Sequence, residues 1–128
     1  MSDVFAFEVS VVGTVWTTVV NERTAGRAKS EYFRGLHEAW PSIPFTALRA
    51  RKLGAPISSQ EFRWCADRRG VDFVCGQPVT VGSDTGVIVG HNASANFEVL
   101  FDAHAPRFAN MRLSVHPHDI QGRTGDTP

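Results

Sequence analysis

The sequence predicts an α+β protein, and three features of the chain support that fold class. The first twenty residues contain two runs of β-branched and aromatic residues, which favour strands. Apolar residues at helical spacing follow between residues 25 and 40. After residue 70 the chain consists of short β-type runs separated by glycines, a pattern typical of a small barrel or curled sheet.

The chain begins with a predicted β-hairpin. Residues 4–12 form its first strand, because every second side chain from Phe5 to Val11 is apolar and lies on one face. Residues 15–20 have the same composition and form the second strand. The glycine and threonine at residues 13–14 suit a tight turn that brings the two strands together.

A helix and a third strand complete the N-terminal part. Thr24 is the predicted N-cap of a helix over residues 25–40, and Pro41 ends that helix because proline lacks the backbone donor. The apolar stripe of this helix consists of Ala28, Tyr32, Leu36 and Trp40. Residues 45–53 alternate apolar and basic side chains and form the next strand. We therefore expect a β-β-α-β unit over residues 1–54.

Residues 55–70 are predicted to hold a short linking helix. Ser58 and Glu61 have the spacing of a capping box, in which each side chain satisfies a free backbone amide of the first turn. Gly70 suits the left-handed position that ends such a helix.

Residues 71–120 are predicted to form the barrel or curled sheet. Its strands are expected at residues 77–81, 86–90, 97–102 and 112–116. The polar residues 121–128 are expected to be a disordered tail.

Composition limits the classes of function. The 128 residues have a mass of 14.0 kDa, and 13 Lys and Arg balance 13 Asp and Glu, so no overall charge draws the chain to nucleic acid or to an anionic membrane. No apolar run approaches the roughly 20 residues that span a bilayer, and we expect a cytoplasmic protein. Cys65 and Cys75 are too few for a disulfide scaffold and are expected to be buried.

Three short motifs follow one another within residues 73–120. They are Gly76-Gln-Pro-Val79 with Val81 beyond it, Gly86-Val-Ile-Val-Gly90, and Val99-Leu-Phe-Asp102. This series resembles the SH3-like barrels of the KOW type, in which a glycine between two strands precedes an Ile/Val-Gly pair and a later strand contains Val-x-Phe-Asp. The resemblance implies that the C-terminal half is a small SH3-like β-barrel.

The whole chain is similar to small proteins encoded by bacteriophages and prophages. The segments that carry this resemblance are Thr24-Ala-Gly-Arg-Ala-Lys29, Ala39-Trp-Pro41, Phe45-Thr46, Arg49-Ala-Arg-Lys52 and His116-Pro-His118. It implies an accessory or counter-defence protein in the cytoplasm of a bacterial host cell, and it implies no reaction and no catalytic residue.

Basic residues are concentrated in the middle of the chain. They are Arg49, Arg51 and Lys52 on the third strand and Arg63, Arg68 and Arg69 on the linking helix. Trp64 lies among them, and basic side chains beside an aromatic ring are typical of a sequence-tolerant nucleic-acid site. The alternative is a solvated surface whose charges pair locally with Glu61 and Asp67.

The histidines near the C-terminus are the candidate metal ligands. His116 and His118 are two apart, so on an extended chain both imidazoles point the same way, with Asp119 beside them. His91 and His104 could complete a site if their loops converged, but no third ligand follows at a motif spacing. We therefore expect no metal and no cofactor, and the order of Ser, Cys and His residues indicates no catalytic triad.

These observations favour a protein that acts by binding and is not an enzyme. The expected partner is a host or phage protein complex, for example a ribonucleoprotein, and the expected effect is to block or modulate it, as an inhibitor of CRISPR–Cas defence would. The alternative is a nucleic-acid-binding module that uses the basic residues. No membrane partner is expected.

Overall fold

The computed structural model describes residues 3–92 and 94–122, and over these residues the protein is α+β, with two α-helices and two antiparallel sheets. The predicted fold class is confirmed at this level. The chain divides into two compact units, Asp3–Ile57 and a second unit that begins at Ser58. Within the described residues, no helix is both long and apolar enough to cross a membrane.

The first unit is a three-stranded sheet covered by one helix. Its strands are β1 (Phe5–Val11), β2 (Thr17–Glu22) and β3 (Leu48–Gly54), in the order β2-β1-β3, and both pairings are antiparallel. The helix α1 (Ala25–Ala39) lies between β2 and β3 in the chain. Strand, strand, helix and strand thus follow in the predicted order. Residues 45–47 form a 3₁₀ turn, so the third strand begins three residues later than expected.

The cap and core of α1 follow from its sequence. The Thr24 hydroxyl accepts a hydrogen bond from the Arg27 N–H at 3.1 Å, as predicted. Ala28 and Leu36 are buried against the sheet. Trp40 was expected on the same stripe, but it is 51% exposed. Trp40 is the C-cap, and its backbone is not helical. Its side chain therefore does not follow the apolar stripe of the helix.

The second unit opens with α2 (Gln60–Arg69). Its N-cap is Ser59, whose hydroxyl accepts a hydrogen bond from the Phe62 N–H at 3.0 Å. The predicted cap, Ser58, is wrong by one residue because its hydroxyl accepts instead from the Cys75 N–H at 2.9 Å. Gly70 ends the helix with φ of 69°, the left-handed conformation predicted for it.

A five-stranded antiparallel sheet forms the rest of this unit. Its strands are β4 (Pro78–Val81), β5 (Asp84–His91), β6 (Phe97–Phe101), β7 (Arg112–Val115) and β8 (Gln121–Gly122). Their order is β7-β6-β5-β4-β8, and over the described residues β7 and β8 are the two edges, so the sheet is not closed. The 3₁₀ turn Pro117–Asp119 connects β7 to β8.

The predicted tail is partly structured. Gln121 and Gly122 pair with Thr80 and Val79 of β4, so the expectation of a disordered tail from residue 121 is wrong at its first two positions. The remainder of the predicted tail, residues 123–128, lies outside the described residues.

The core of the second unit is built by aromatic side chains of α2 and the sheet. Phe62 and Phe97 are fully buried with their ring centroids 5.4 Å apart, and Phe73 packs edge-on against Phe97. Gly86 lets two strands approach closely, since a Cβ there would lie 2.8 Å from the Leu100 carbonyl oxygen.

Candidate functional site

Two tryptophans form the most prominent exposed apolar surface of the first unit. The rings of Trp16 and Trp40 pack against each other with 5.3 Å between their centroids and 38° between their planes, and the two residues are 37% and 51% exposed. Val15 beside them is 92% exposed, and Val12 of the same turn is exposed as well. We call Val12, Val15, Trp16 and Trp40 the tryptophan surface. Exposed apolar side chains grouped in this way are typical of interaction sites.

Local hydrogen bonds fix the position of both rings. In the turn between β1 and β2, the Thr14 hydroxyl donates to the Val11 carbonyl at 2.9 Å and accepts from the Trp16 N–H at 3.0 Å. The Trp40 N–H donates to the Leu36 carbonyl at 2.8 Å, and Pro41 prevents the helix from continuing. The tryptophan surface is therefore held by backbone structure before any partner arrives, which lowers the entropy cost of binding.

A second aromatic group continues along α1. The Phe33 ring packs against His37 at 5.0 Å and edge-on against Phe45 at 5.4 Å. His37 and Trp40 are three residues apart on the helix and therefore neighbours on its surface.

The charges beside this aromatic group are positive. The Lys29 ammonium lies 5.4 Å from the centre of the Phe45 ring. The Arg49 guanidinium donates to the carbonyls of Thr46 and Leu48, both at 2.9 Å. Neither cation pairs with a carboxylate within the part of the chain that the structure describes.

The basic residues of the predicted patch belong to two different units of the chain. On β3, Arg51 forms an ion pair with Glu8 of β1 at 3.0 Å. The Lys52 ammonium lies 3.6 Å from the centre of the Phe5 ring, and Phe5 packs against the core under α1. Within the described chain, neither Arg49 nor Lys52 has a carboxylate partner, and Lys52 lies over an aromatic ring instead.

The other predicted residues lie on α2 in the second unit. Arg69 donates to the carbonyls of Ala95 and Ser94, at 2.9 and 3.2 Å, and to the Asn96 side chain at 3.1 Å. Its guanidinium therefore anchors the loop between β5 and β6. Arg63 and Arg68 are exposed, and the expected local pairing with Glu61 or Asp67 is not present among the described residues.

Trp64 is the exposed aromatic residue of α2. It is 59% exposed and lies one turn from Arg68. Together with His91 and Asn92 these two side chains line a shallow pocket of about 190 Å³. An aromatic ring beside an unpaired guanidinium is the arrangement that stacks on a base and neutralises a phosphate.

The C-terminal histidines border a groove of about 550 Å³. The rings of His116 and His118 are 5.0 Å apart, and the His118 N–H donates to His116 Nδ1 at 3.1 Å. Among the described residues no three His, Cys, Asp or Glu side chains converge on a point, so His91 and His104 do not complete a metal site there. Phe101 and Phe108 also line the groove.

A buried carboxylate beside this groove was not predicted from the sequence. Asp84 begins β5, is inaccessible to solvent, and accepts hydrogen bonds from the Arg107 N–H at 2.8 Å and the Arg107 Nε at 2.7 Å. Burial acts to raise the pKa of Asp84, but the hydrogen bonds from Arg107 and Phe108 and the charge of Arg107 outweigh it and hold this pKa below its ordinary value. The sequence shows only an aspartate in a glycine-containing turn, and this pattern does not indicate a partner 23 residues away.

Neither cysteine forms a disulfide, and both are buried in the core of the second unit, as expected. Burial raises the pKa of the Cys65 thiol, although Arg69 and Arg68 act against it. Cys65 packs within the buried core of this unit.

Comparison of the chain with protein-family models, with curated proteins and with solved structures gives no match.

Proposed function

We propose that this protein is a phage or prophage accessory protein that acts by binding a host macromolecular complex and blocking or modulating it. The observation that supports a binding role is the tryptophan surface, in which Trp16 and Trp40 contact each other, are exposed and are held in place. The phage assignment depends on the resemblance of the sequence. Inhibition of a CRISPR–Cas complex is the form of this function that we would test first.

The energetics favour a binding role for these rings. Two half-exposed tryptophans leave apolar area in contact with water, and covering that area with a partner is favourable. Tryptophan is also enriched among the few residues that supply most of the binding energy of an interface. Covering about 800 Å² per partner suffices for a specific complex, and a unit of this size can present that area. The proposal requires no chemical step, and we propose that the protein is not an enzyme.

The neighbouring charges indicate the chemistry of the partner. Lys29 and Arg49 lie beside the aromatic group, and neither has a carboxylate partner in the described chain. A protein surface with an apolar pocket and acidic residues at its border would complement this arrangement.

A pull-down from host lysate tests the proposal. The tagged protein is incubated at about 150 mM salt, where casual electrostatic binding is screened. We expect it to recover a defined protein complex that persists after nuclease treatment. The double variant Trp16→Ala/Trp40→Ala should lose this complex, and the matched control Trp64→Ala, which removes an exposed tryptophan of the other unit, should retain it. Equal recovery by both variants would contradict the proposal.

The second candidate function is nucleic-acid binding through α2. The observation that favours it is the exposed ring of Trp64 between Arg63 and Arg68, whose charges are not paired within the described residues. Two phosphate contacts would make the logarithm of the affinity for single-stranded nucleic acid fall with the logarithm of salt at a slope of about −1.4. Arg63→Gln/Arg68→Gln should flatten that slope, and Arg51→Gln, which removes a cation already paired with Glu8, should leave it unchanged. A slope of zero in the wild type would exclude this function.

We also propose that the five strands after α2 form an SH3-like barrel. The order β7-β6-β5-β4-β8 supports this, because in SH3-like barrels the last strand returns to pair with the first. The 3₁₀ turn Pro117–Asp119 lies between the last two strands, as it does in that fold. NOEs between the backbones of β7 and β8 would establish closure, and their absence would leave an open curled sheet.

A further inference from the structure

The two edges of the sheet in the first unit differ in charge. The β3 edge carries Arg49, Arg51 and Lys52, and charged side chains on an edge strand discourage pairing with another chain. The other edge, β2, has no charged residue from Thr17 to Asn21. This edge also lies next to Trp16 in the chain, and Val19 on it is 44% exposed. Of the two edges, β2 is the one that can accept another strand.

The register identifies the backbone groups that β2 offers. The Val11 N–H donates to the Trp16 carbonyl at 3.1 Å, so these two residues form a hydrogen-bonded pair. Along an antiparallel pair, hydrogen-bonded and non-hydrogen-bonded positions alternate. Thr18 therefore also bonds to β1, whereas the N–H and C=O groups of Thr17 and Val19 point away from it. No other backbone of the described chain bonds to these outward groups.

We propose that a second copy of this chain covers this edge, with the two β2 strands paired antiparallel about a two-fold axis at Thr18. In this register Thr17 lies opposite Val19 of the second copy, and the reverse pair is identical by symmetry. The outward N–H and C=O groups of Thr17 and Val19 in each copy then all find partners. The result is a continuous six-stranded sheet.

The side chains fit this register. Val19 lies on the same face as Thr17, so across the axis its exposed methyl groups pack beside Thr17 of the second copy. No like charges meet at the axis, because the residues nearest to it are Thr, Val and Trp. Pairing through β3 would instead place arginine and lysine side chains near their own copies. This inference goes beyond the proposed function and does not depend on it.

Removal of one outward N–H tests the dimer. Val19→Pro eliminates that donor and leaves the bonds from β2 to β1 intact, since proline is tolerated on an edge strand where the N–H faces away. Val19→Thr is the matched control, because it keeps both the N–H and the β-branched shape. In sedimentation equilibrium we expect the wild type and Val19→Thr to have about twice the chain mass of 14.0 kDa, and Val19→Pro to have the mass of one chain.

Disulfide trapping tests the register and does not depend on whether the proline variant folds. At the axis, Thr18 faces its own copy in a non-hydrogen-bonded pair, where Cα atoms are about 4.5 Å apart and a disulfide can form. Thr18→Cys should give a cross-linked dimer on a non-reducing gel. Thr17→Cys, whose opposite residue is Val19, should give little, and the native protein should give none because Cys65 and Cys75 are buried.

Three results would overturn the dimer. The first is a wild-type protein that sediments as one chain at every concentration, and the second is equal trapping of the two cysteine variants. The third is a wild-type protein that is a single chain and captures a host complex that Val19→Pro fails to capture. In that case β2 would pair with a strand of that complex.

Discussion

A single residue, Asp84, determines how the loop between β6 and β7 lies against the second unit. Its carboxylate is inaccessible to solvent and accepts hydrogen bonds from the main chain and the side chain of Arg107. The Arg107 guanidinium in turn lies 4.7 Å from the centre of the Phe108 ring, at the border of the groove. Replacing this carboxylate by an amide removes the charge that pairs with Arg107 and places an NH₂ group where one of the two donors needs an acceptor.

Asp84→Asn should therefore lower the urea midpoint of unfolding at neutral pH. The pKa of Asp84 is lowered in the folded state, so its stabilising effect is present above the unfolded pKa of about 3.9 and is lost as the pH falls through the folded value. The difference between the wild type and Asp84→Asn should be full at neutral pH and shrink in acid. Asp67→Asn, on the exposed face of α2, is the control and should match the wild type at each pH. A difference that stays constant down to acid pH would contradict the role given to this charge.

At the scale of elements, both helices begin at a side-chain cap. Thr24 caps α1 and Ser59 caps α2, each by accepting a hydrogen bond from the N–H three residues later. Caps of this type are visible in sequence, but two adjacent serines cannot be distinguished without knowing that Ser58 is engaged with Cys75.

Ser59→Ala should lower the free energy of unfolding by about 1 kcal/mol, since the Phe62 N–H loses its acceptor. Ser59→Asp retains an acceptor and adds a favourable charge at the helix N-terminus, and it should restore the stability. Urea denaturation measures both variants. An unchanged free energy in Ser59→Ala would show that α2 does not need this cap.

At the scale of the whole molecule, periodic patterns in the sequence predicted the strands and helices that are determined by residues close together in the chain. The alternation in residues 4–12 and the helical stripe in residues 25–40 predicted β1 and α1, because one buried face imposes a period on the chain. The strand β8 has two residues, which is too short to show any period. Pairing with β4 supports it, and this pairing joins positions about forty residues apart.

The candidate site was harder to predict for the same reason. The contact of Trp16 with Trp40 joins a turn to a helix end, and the ion pair of Arg51 with Glu8 joins residues 43 positions apart. The sequence shows that these residues are aromatic or charged, but only tertiary pairing determines which of them remain available to a partner. Arg51 and Arg69 of the predicted patch make internal contacts in the structure, whereas Trp40, which was predicted to be buried, is exposed.

The central claim is that Trp16 and Trp40 become covered when the partner binds. The chain has three tryptophans, so Trp64→Phe leaves these two, and labelling with 5-hydroxytryptophan separates their emission from that of the partner. Quenching of this emission by iodide should fall when the captured host complex is added. A complex that binds while quenching stays unchanged would show that the partner contacts another surface, and the tryptophan surface would not be the binding site.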